Sequence, residues 1–466
     1  MTRQILPVPN PVTSYWLREP HAFADLQSTL CLPAHCDIAV IGAGLAGVLS
    51  AYHILKKTDR AEDSGTEAGT QEGGAGPRVV LIDARQLCSG ATGRNGGHVK
   101  VQVNTLVNLP DSATDSRNKR SAFQDYVSRV MLELKHITEE EDLDCEFELR
   151  RSFDVFTSTA DAESTYRKYE EARKNGELWT QNVSWIGADR AEQVTSIKGA
   201  KGAFSVPAAS FWPYKFVTGL LERMVKRWGG EGGRLNVQMC TPVTSLNVSS
   251  SGAELLATHR GTITAAKVVL ATNAYTAGLL PVFKGNIVPV RGMASHHRAG
   301  GAVHPHLTNT YNINFGPDKG VDYLNPRPDG GIVVGGGAWM FRQDERSWKN
   351  NFDDAHLFPP DVMGYWREYM QDRFLGWENS NSKNDSAWTG IMGRTNDGQP
   401  FVGRVPGREG VWALVGFNGG GMAIIALCAR VVGRMIVEGK GFEDLWEEEG
   451  LLECFRCSEE RLGSPQ

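Results

Sequence analysis

The residues best suited to chemistry are three glycines, Gly42, Gly44 and Gly47, in the stretch GAGLAG. The first glycine of such a stretch allows a tight turn, the second lets the backbone approach a pyrophosphate, and the third lets a helix pack closely on a strand. A pyrophosphate would lie at the helix N-terminus, where free N–H groups and the helix dipole favour negative charge. The spacing predicts a dinucleotide site, and it does not separate FAD from a nicotinamide cofactor.

Two apolar segments flank the glycines and are typical of buried parallel strands. The first covers residues 37–41, and the second covers 79–83 and ends in Asp83, which is placed to accept hydrogen bonds from a ribose. A helix is predicted between them from about residue 45 to 57. Residues 58–77, rich in glycine and acidic residues, are predicted to be a surface insertion, and they explain why this βαβ unit exceeds its usual length.

A second glycine-rich stretch, CSGATGRNGGH, covers residues 88–98. Its glycines offer backbone donors and little bulk, which suits a segment that passes a flat ring system and a diphosphate. Thr92, Arg94 and Asn95 add polar side chains to it. The stretch resembles the glycine loop of the FAD-dependent D-amino-acid oxidase family, which includes glycine oxidase, sarcosine oxidase and γ-glutamylputrescine oxidase. In that family the loop follows the second strand and lines the flavin.

Further segments carry the same resemblance through most of the chain. SFWPYKFVTGL (210–220) is similar to the family's helix start with Pro-x-Lys, and VVLATNAYT (268–276) is similar to its strand that returns to the cofactor. TGIMGRTNDGQPFVG (389–403) and VGFNGGGM (415–422) resemble its C-terminal signature. The glycines at 419–421 precede an apolar helix, whose positive end would face the pyrimidine edge of the flavin in this family.

The resemblance implies an α/β fold, in which a Rossmann-type FAD-binding domain is interleaved with an α+β substrate domain. The predicted segments are an irregular N-terminal arm (1–36), FAD-binding segments (37–105, 206–290 and 376–466, the last including a C-terminal tail) and substrate-domain segments (106–205 and 291–375). Apolar spacing predicts helices at about 115–143, at 214–228, within 361–374 and from about 421 to 438.

The resemblance also implies which residues contact FAD. They lie in the glycine-rich stretches or at strand ends: Gly42, Gly44, Leu45, Ala46, Gly47, Asp83, Ala84, Arg85, Ala91, Thr92, Arg94, Asn95, Gly96, Gly97, His98, Val243, Ala271, Thr272, Asn273, Gly390, Gly419, Gly420, Gly421 and Met422. In relatives whose flavin is covalently linked to a histidine, that histidine stands at the position of Arg94. His98 lies four residues later in this sequence, so the resemblance predicts a noncovalent flavin.

On the substrate side, the candidate residues are Arg291, Tyr323, Arg327 and Trp339, with Tyr311 as a further candidate for the cavity wall. An arginine fork would pair a substrate carboxylate, and aromatic faces would meet a substrate amine. The resemblance implies oxidation of the C–N bond of a small amine or amino acid to an imine, by hydride transfer to flavin N5, with molecular oxygen as the acceptor.

Three alternatives stay open at this point. A nicotinamide-dependent dehydrogenase fits the first βαβ unit alone. An FAD-binding protein without amine turnover, such as a scaffold or a tRNA-modifying relative, fits the flavin segments. A dehydrogenase that uses another acceptor is open as well, since the sequence does not identify a lysine that activates oxygen.

Composition excludes several classes of protein. A net charge of −5 argues against a nucleic-acid partner, and the chain has neither a recognisable signal segment nor an apolar run long enough to span a membrane. Eight cysteines without a signal segment predict reduced thiols and a cytoplasmic location. The histidines at 296, 297, 304 and 306 have no acid or cysteine among them, so no metal site is expected.

Overall fold

The structure is a computed structural model, and it describes residues 5–63, 76–109 and 116–463. The predicted insertion at 58–77 lies largely outside the described residues. Its first part, up to Asp63, continues the helix that begins at Leu45.

The strands and helices have the following bounds. The strands are β1 (His35–Ile41), β2 (Val79–Ile82), β3 (His98–Val99), β4 (Glu148–Phe156), β5 (Ser184–Ile186), β6 (Gly202–Ser210), β7 (Leu235–Gln238), β8 (Val243–Val248), β9 (Glu254–Thr258), β10 (Gly261–Leu270), β11 (Ile287–Arg298), β12 (Thr310–Asn314), β13 (Val321–Pro326), β14 (Ile332–Gly336), β15 (Lys383–Thr395), β16 (Phe401–Val405) and β17 (Arg408–Val415). The helices are α1 (Leu45–Asp63), α2 (Val103–Val107), α3 (Ser116–Glu140), α4 (Thr159–Lys174), α5 (Ala188–Thr195), α6 (Pro213–Trp228), α7 (Glu345–Trp348), α8 (Pro360–Met363), α9 (Tyr369–Arg373), α10 (Ile425–Glu438) and α11 (Glu459–Gly463).

The first sheet has the order β16-β17-β10-β1-β2-β7, with β9 paired to β10 and β8 to β9. Its centre is parallel: β1 pairs with β2 on one side and β10 on the other, as their continuous apolar sequences predict. Helices α1 and α10 pack against each other and supply much of the core beside this sheet. This arrangement is the Rossmann-type layer expected from the glycine stretch and its flanking strands.

The second sheet has the order β15-β11-β14-β13-β12-β4-β6-β3, with β5 paired to β6. It is mainly antiparallel and draws its strands from two parts of the chain, β3–β6 and β11–β15, which are separated by β7–β10 of the first sheet, so the two sheets are interleaved as predicted. Among the strands within the predicted FAD-binding segments, β3 pairs with β6 of the second sheet, and a second such strand is β15. It pairs with β11 from Ile287↔Thr395 to Arg298↔Lys383 and therefore belongs to the second sheet.

The N-terminal arm is irregular, as predicted, but it is part of the core. Tyr15 and Trp16 form a 3-10 turn with Leu17 and are 2% and 0% exposed. Ser14 Oγ donates to the Gly93 carbonyl at 2.5 Å, and Trp16 Nε1 donates to the Asn95 carbonyl at 2.6 Å. The arm therefore supports the second glycine stretch.

Two predicted helices are more broken than their apolar spacing indicated. The segment 361–374 forms α8 and α9 with a 3-10 turn between them. The last helix does not begin at Gly421, because Gly421–Ala423 form a separate 3-10 turn before α10. In the described part of the chain, none of the helices has the length and apolar character that crossing a bilayer requires.

Candidate functional site

A cavity of about 750 Å³ is lined by residues from both sheets. All of the predicted FAD-contacting residues line it except Gly47 and Gly97. These two glycines lie behind the residues that line the cavity, where close packing leaves no room for a side chain. A Cβ on Gly47 would lie 1.7 Å from the Gly42 carbonyl oxygen, and one on Gly97 would lie 2.6 Å from the Trp16 ring.

The first glycine stretch forms one end of the cavity, where β1 leads into α1. Gly42 has a φ of +109°, a conformation that favours glycine, and a Cβ there would lie 2.5 Å from the Ala271 carbonyl oxygen. A Cβ on Gly44 would lie 3.0 Å from Thr92 Oγ1, which accepts a hydrogen bond from the Leu45 N–H at 3.1 Å. The turn thus leaves backbone, and little else, facing the cavity at the start of α1.

Asp83, at the end of the second strand segment, lines the cavity. Its carboxylate accepts the Ala43 N–H at 2.7 Å and the Arg85 N–H at 2.8 Å. Burial raises the pKa of Asp83, and these two hydrogen bonds oppose that shift. The carboxylate therefore ties the glycine turn to the segment after β2, and its further lone pairs can accept from a ribose.

The second glycine stretch is held by its own side chains. Arg94 donates from Nε to the Ser89 carbonyl at 2.9 Å and from Nη1 to the Thr389 carbonyl at 2.8 Å. Burial lowers the pKa of Arg94 to about 10, against the opposing charge of Asp354. Asn95 accepts the Gly97 N–H at 2.7 Å, which closes the turn. Arg94 thereby connects this stretch to β15 of the second sheet.

Asp354 is a residue of this site that sequence reasoning missed. Its side chain is 1% exposed and pairs with Arg85 at 2.9 Å and with Arg94 at 3.5 Å. Both arginines line the cavity, while Asp354 lies behind them. The only trace in the sequence is a pair of aspartates in NNFDDAH, and nothing in that pattern predicts contact with a loop about 260 residues earlier.

We expect Asp354→Asn to lower the free energy of unfolding by roughly 3–5 kcal/mol, because two buried arginines would lose their shared counter-charge. Urea unfolding of the purified variant measures this loss. The matched control is Asp353→Asn, since Asp353 is partly exposed and pairs with the exposed His356. That control should lose about 1 kcal/mol or less. Equal losses in the two variants would contradict the role given to Asp354.

The predicted substrate-side residues separate into two groups. Arg291 and Tyr323 line the cavity, whereas Arg327, Trp339 and Tyr311 do not. Arg327 is fully buried in an ion pair with Glu146 and lies over the ring of Trp16. Trp339 packs edge-on against Phe315 and Tyr365. The structure therefore gives Arg327 and Trp339 packing positions rather than places beside a substrate.

Arg291 lines the cavity with most of its donors already used. Nη2 donates to the His356 carbonyl at 2.5 Å and Nη1 to the Ser347 carbonyl at 3.4 Å, with the guanidinium over the Phe358 ring. Only Nε is buried without a partner among the described residues. Arg291 is therefore held in place, but its fork is not free to bind a carboxylate bidentately.

His98 and Lys100 place nitrogen-containing side chains on the wall of the same cavity. His98 meets Tyr323 edge-on at 5.3 Å, and burial holds its pKa well below the ordinary range, so the ring is neutral. Lys100 was missed by sequence reasoning; its Nζ donates to Ser152 Oγ at 2.9 Å and to the Tyr311 carbonyl at 2.8 Å. Burial lowers the pKa of Lys100, and the nearby carboxylate of Asp154 opposes this shift. The two residues add a neutral ring and a buried amine to the cavity.

The cavity has the features that a large polar cofactor requires. Arg94 Nη2, His98 Nδ1, Tyr275 Oη and Arg291 Nε are buried polar atoms without a partner among the described residues, and all four side chains line the cavity. Such atoms cost free energy unless a ligand supplies the missing hydrogen bonds. A Cβ added to Gly419 or Gly420 would meet no protein atom within 4 Å, so this part of the wall is open. The residues present fit FAD. Across the described ranges, no cluster of three or more potential metal ligands is found.

Comparison with known proteins supports FAD as the cofactor. The model of the family described as FAD dependent oxidoreductase (DAO) matches residues 37–435. A probable oxidoreductase, OrdL of Rhizobium meliloti (strain 1021), is 24% identical over 413 residues, which cover 87% of this chain and 84% of that protein.

Two solved structures share the fold. Glycine oxidase from Geobacillus kaustophilus has a TM-score of 0.66 at 19% identity and covers 92% of this chain and 99% of its own. L-amino acid deaminase from Proteus vulgaris, with its specific insertion sequence deleted, has a TM-score of 0.66 at 14% identity and covers 94% and 97%. The family match, together with a cavity that fits FAD, shows that this chain belongs to the DAO family of FAD-dependent oxidoreductases.

Proposed function

We propose that the protein oxidises the C–N bond of a small amine or amino acid to an imine, with molecular oxygen as the acceptor. One observation carries the proposal: a single cavity is lined by the predicted FAD residues and also by second-sheet residues, among them Tyr323 and Arg291. A reacting carbon could therefore be placed next to the cofactor in one enclosed space. The names of the glycine oxidase and the L-amino acid deaminase that share this fold support an amino compound as the substrate.

Bound FAD supplies the two-electron acceptor for the carbon next to the amine nitrogen. The protein's own residues bind and orient the substrate. Tyr323 lines the cavity, and burial raises the pKa of its phenol to about 12, so the group remains a neutral hydrogen-bond donor. The neutral His98 ring beside it can accept a hydrogen bond at Nδ1 or donate one, depending on its tautomer. Phe341, Trp388 and Phe417 add apolar surface that excludes water.

The test is to mix the holoenzyme, without oxygen, with a panel of secondary amines and of D- and L-amino acids. We expect the yellow flavin absorbance to bleach with at least one member. If every member leaves the absorbance unchanged, the protein binds FAD without amine turnover and the proposal is wrong. Readmitting air separates the acceptors: production of hydrogen peroxide supports oxygen, whereas turnover only with an added dye indicates a dehydrogenase.

A further inference from the structure

A short segment near the start of the N-terminal arm, residues 5–7, forms part of the cavity wall. Residues 5–8 are half-buried, and the next two residues, Pro9 and Asn10, are exposed. The segment therefore has one side toward the cavity and the other toward solvent. The sequence predicted no cofactor contact in this arm.

Two contacts fix where the segment lies. A Cβ added to Gly278 would lie 2.6 Å from the Ile5 carbonyl oxygen and 2.9 Å from the Ile5 Cβ. The Val8 carbonyl accepts a hydrogen bond from Arg85 Nη1 at 3.2 Å. Gly278 ends the 3-10 turn after β10, and Arg85 follows β2. Because β10 and β2 flank β1, residues 5–8 cross the edge of the first sheet at which these parallel strands end.

This edge of the sheet is suited to the adenosine diphosphate half of FAD. Ligands of open α/β sheets bind outside the carboxyl ends of the strands, with the pyrophosphate at the glycine turn and a ribose at the acid after the second strand. Here these are the turn after β1 and Asp83. Tyr275, in the same 3-10 turn as Gly278, adds a buried hydroxyl that has no partner among the described residues. The segment and the glycine turn therefore line the same cofactor space.

The arm is held firmly only beyond this segment. The Val12 N–H donates to the Asp354 carbonyl at 2.7 Å, and Ser14 and Trp16 donate to the second glycine stretch. Residues 5–7 make no hydrogen bond with any other residue in the described ranges. A segment with so few bonds can open locally at little cost in free energy. Residues 5–7 can therefore be displaced while the arm keeps its place from Val12 onward.

We propose that residues 5–7 cover the adenosine diphosphate half of bound FAD, so that FAD enters and leaves the cavity only when this cover is displaced. Ile5, Leu6 and Pro7 are apolar, and they are the part of the arm that lines the cavity in the described ranges. Apolar side chains suit the flat adenine ring. By excluding water they also strengthen the hydrogen bonds between the glycine turn and the phosphates.

The experiment measures FAD exchange in the Ile5→Gly/Leu6→Ser/Pro7→Gly variant. These changes remove the three side chains and keep both the chain length and the Val8 carbonyl. After dilution of the FAD-loaded protein, flavin fluorescence follows the release of FAD, and we expect the rate to rise about tenfold or more. Uptake of FAD by the flavin-free variant should be at least as fast as in the unaltered protein, because no cover has to open. The visible spectrum of the bound flavin should stay the same, since the segment lies away from the ring.

The matched control is Pro9→Gly/Asn10→Ser, which loosens the next two residues of the arm. Both are exposed and do not line the cavity, so release and uptake should be unchanged. Unchanged release in the triple variant, or equal acceleration in the control, would overturn the inference. Slower uptake would also overturn it, because the segment would then help to form the site rather than cover it. A shifted flavin spectrum would place the segment beside the ring instead.

Folding and turnover are separated from this test. Circular dichroism and thermal melting with saturating FAD show whether the triple variant is folded, as we expect, since the contacts of Val12, Ser14 and Trp16 are untouched. If its melting temperature falls, the single variant Leu6→Ser replaces it, with release expected to rise severalfold and the same outcomes to contradict it. Neither rate involves a substrate, so the result does not depend on the proposed amine oxidation.

Discussion

Gly44→Val is expected to give a folded protein that purifies without FAD. A Cβ at this position would already lie 3.0 Å from Thr92 Oγ1, and the two methyl groups of valine would extend further into the space where a pyrophosphate approaches the backbone. The Leu45 N–H to Thr92 contact would be disturbed at the same time. We expect FAD affinity to fall by about two orders of magnitude or more, equivalent to several kcal/mol of binding free energy.

The measurement is the flavin absorbance per protein after purification, followed by titration with added FAD. Gly301→Val is the matched control, because Gly301 is exposed, lies outside the left-handed region and has no atom within 4 Å of an added Cβ. Circular dichroism checks that both variants are folded. Stoichiometric FAD in Gly44→Val would refute the placement of the pyrophosphate.

Trp16→Ala is expected to weaken both stability and FAD binding, although Trp16 does not line the cavity. The side chain is fully buried, donates to the Asn95 carbonyl and fills the space beside Gly97. Its removal should lower the free energy of unfolding by roughly 3–5 kcal/mol, the cost of truncating a buried aromatic residue. Because the second glycine stretch loses its support, the dissociation constant of FAD should rise about tenfold or more.

Trp366→Ala separates these two effects. Trp366 is as deeply buried as Trp16, but it packs in the core of the second sheet, and its Nε1 has no hydrogen-bond partner among the described residues. We expect a similar loss of stability with an unchanged dissociation constant for FAD, measured at a temperature where both variants are folded. The same FAD affinity in Trp16→Ala and the unaltered protein would show that the arm has no part in holding the loop.

The parts of this protein that sequence predicted well are those in which local pattern and local structure coincide. The apolar run before Gly42 predicts a buried strand, and the glycine spacing after it predicts a tight turn followed by a helix. All three are present. The interleaved architecture and FAD came from resemblance, and the family match confirms them. The substrate and the acceptor stay predictions.

The parts that sequence could not predict depend on contacts between distant segments. Arg327 and Arg291 are equivalent as candidate carboxylate partners in the sequence, yet Glu146 pairs with the first and backbone carbonyls hold the second. Arg342 and Arg394 show the reverse, because neither makes an ion pair with any described residue and nothing in their local sequence predicts this. The partners lie 56 and 65 positions from Arg291 and 181 positions from Arg327, so no local pattern reveals whether either charge is paired.

The contacts of the N-terminal arm have a consequence for how fast the protein folds. Val12 donates its N–H to the Asp354 carbonyl, the Val8 carbonyl accepts from Arg85, and Tyr15 stacks on His296 at 4.0 Å. Two of these contacts, that of Val12 with Asp354 and that of Tyr15 with His296, join residues some 280 to 340 positions apart, whereas Val8 and Arg85 are 77 positions apart. Contacts of such sequence separation slow folding. Because Asp354 also pairs with Arg85 and Arg94 of the cavity wall, we expect the cofactor cavity to close only after these distant segments have met.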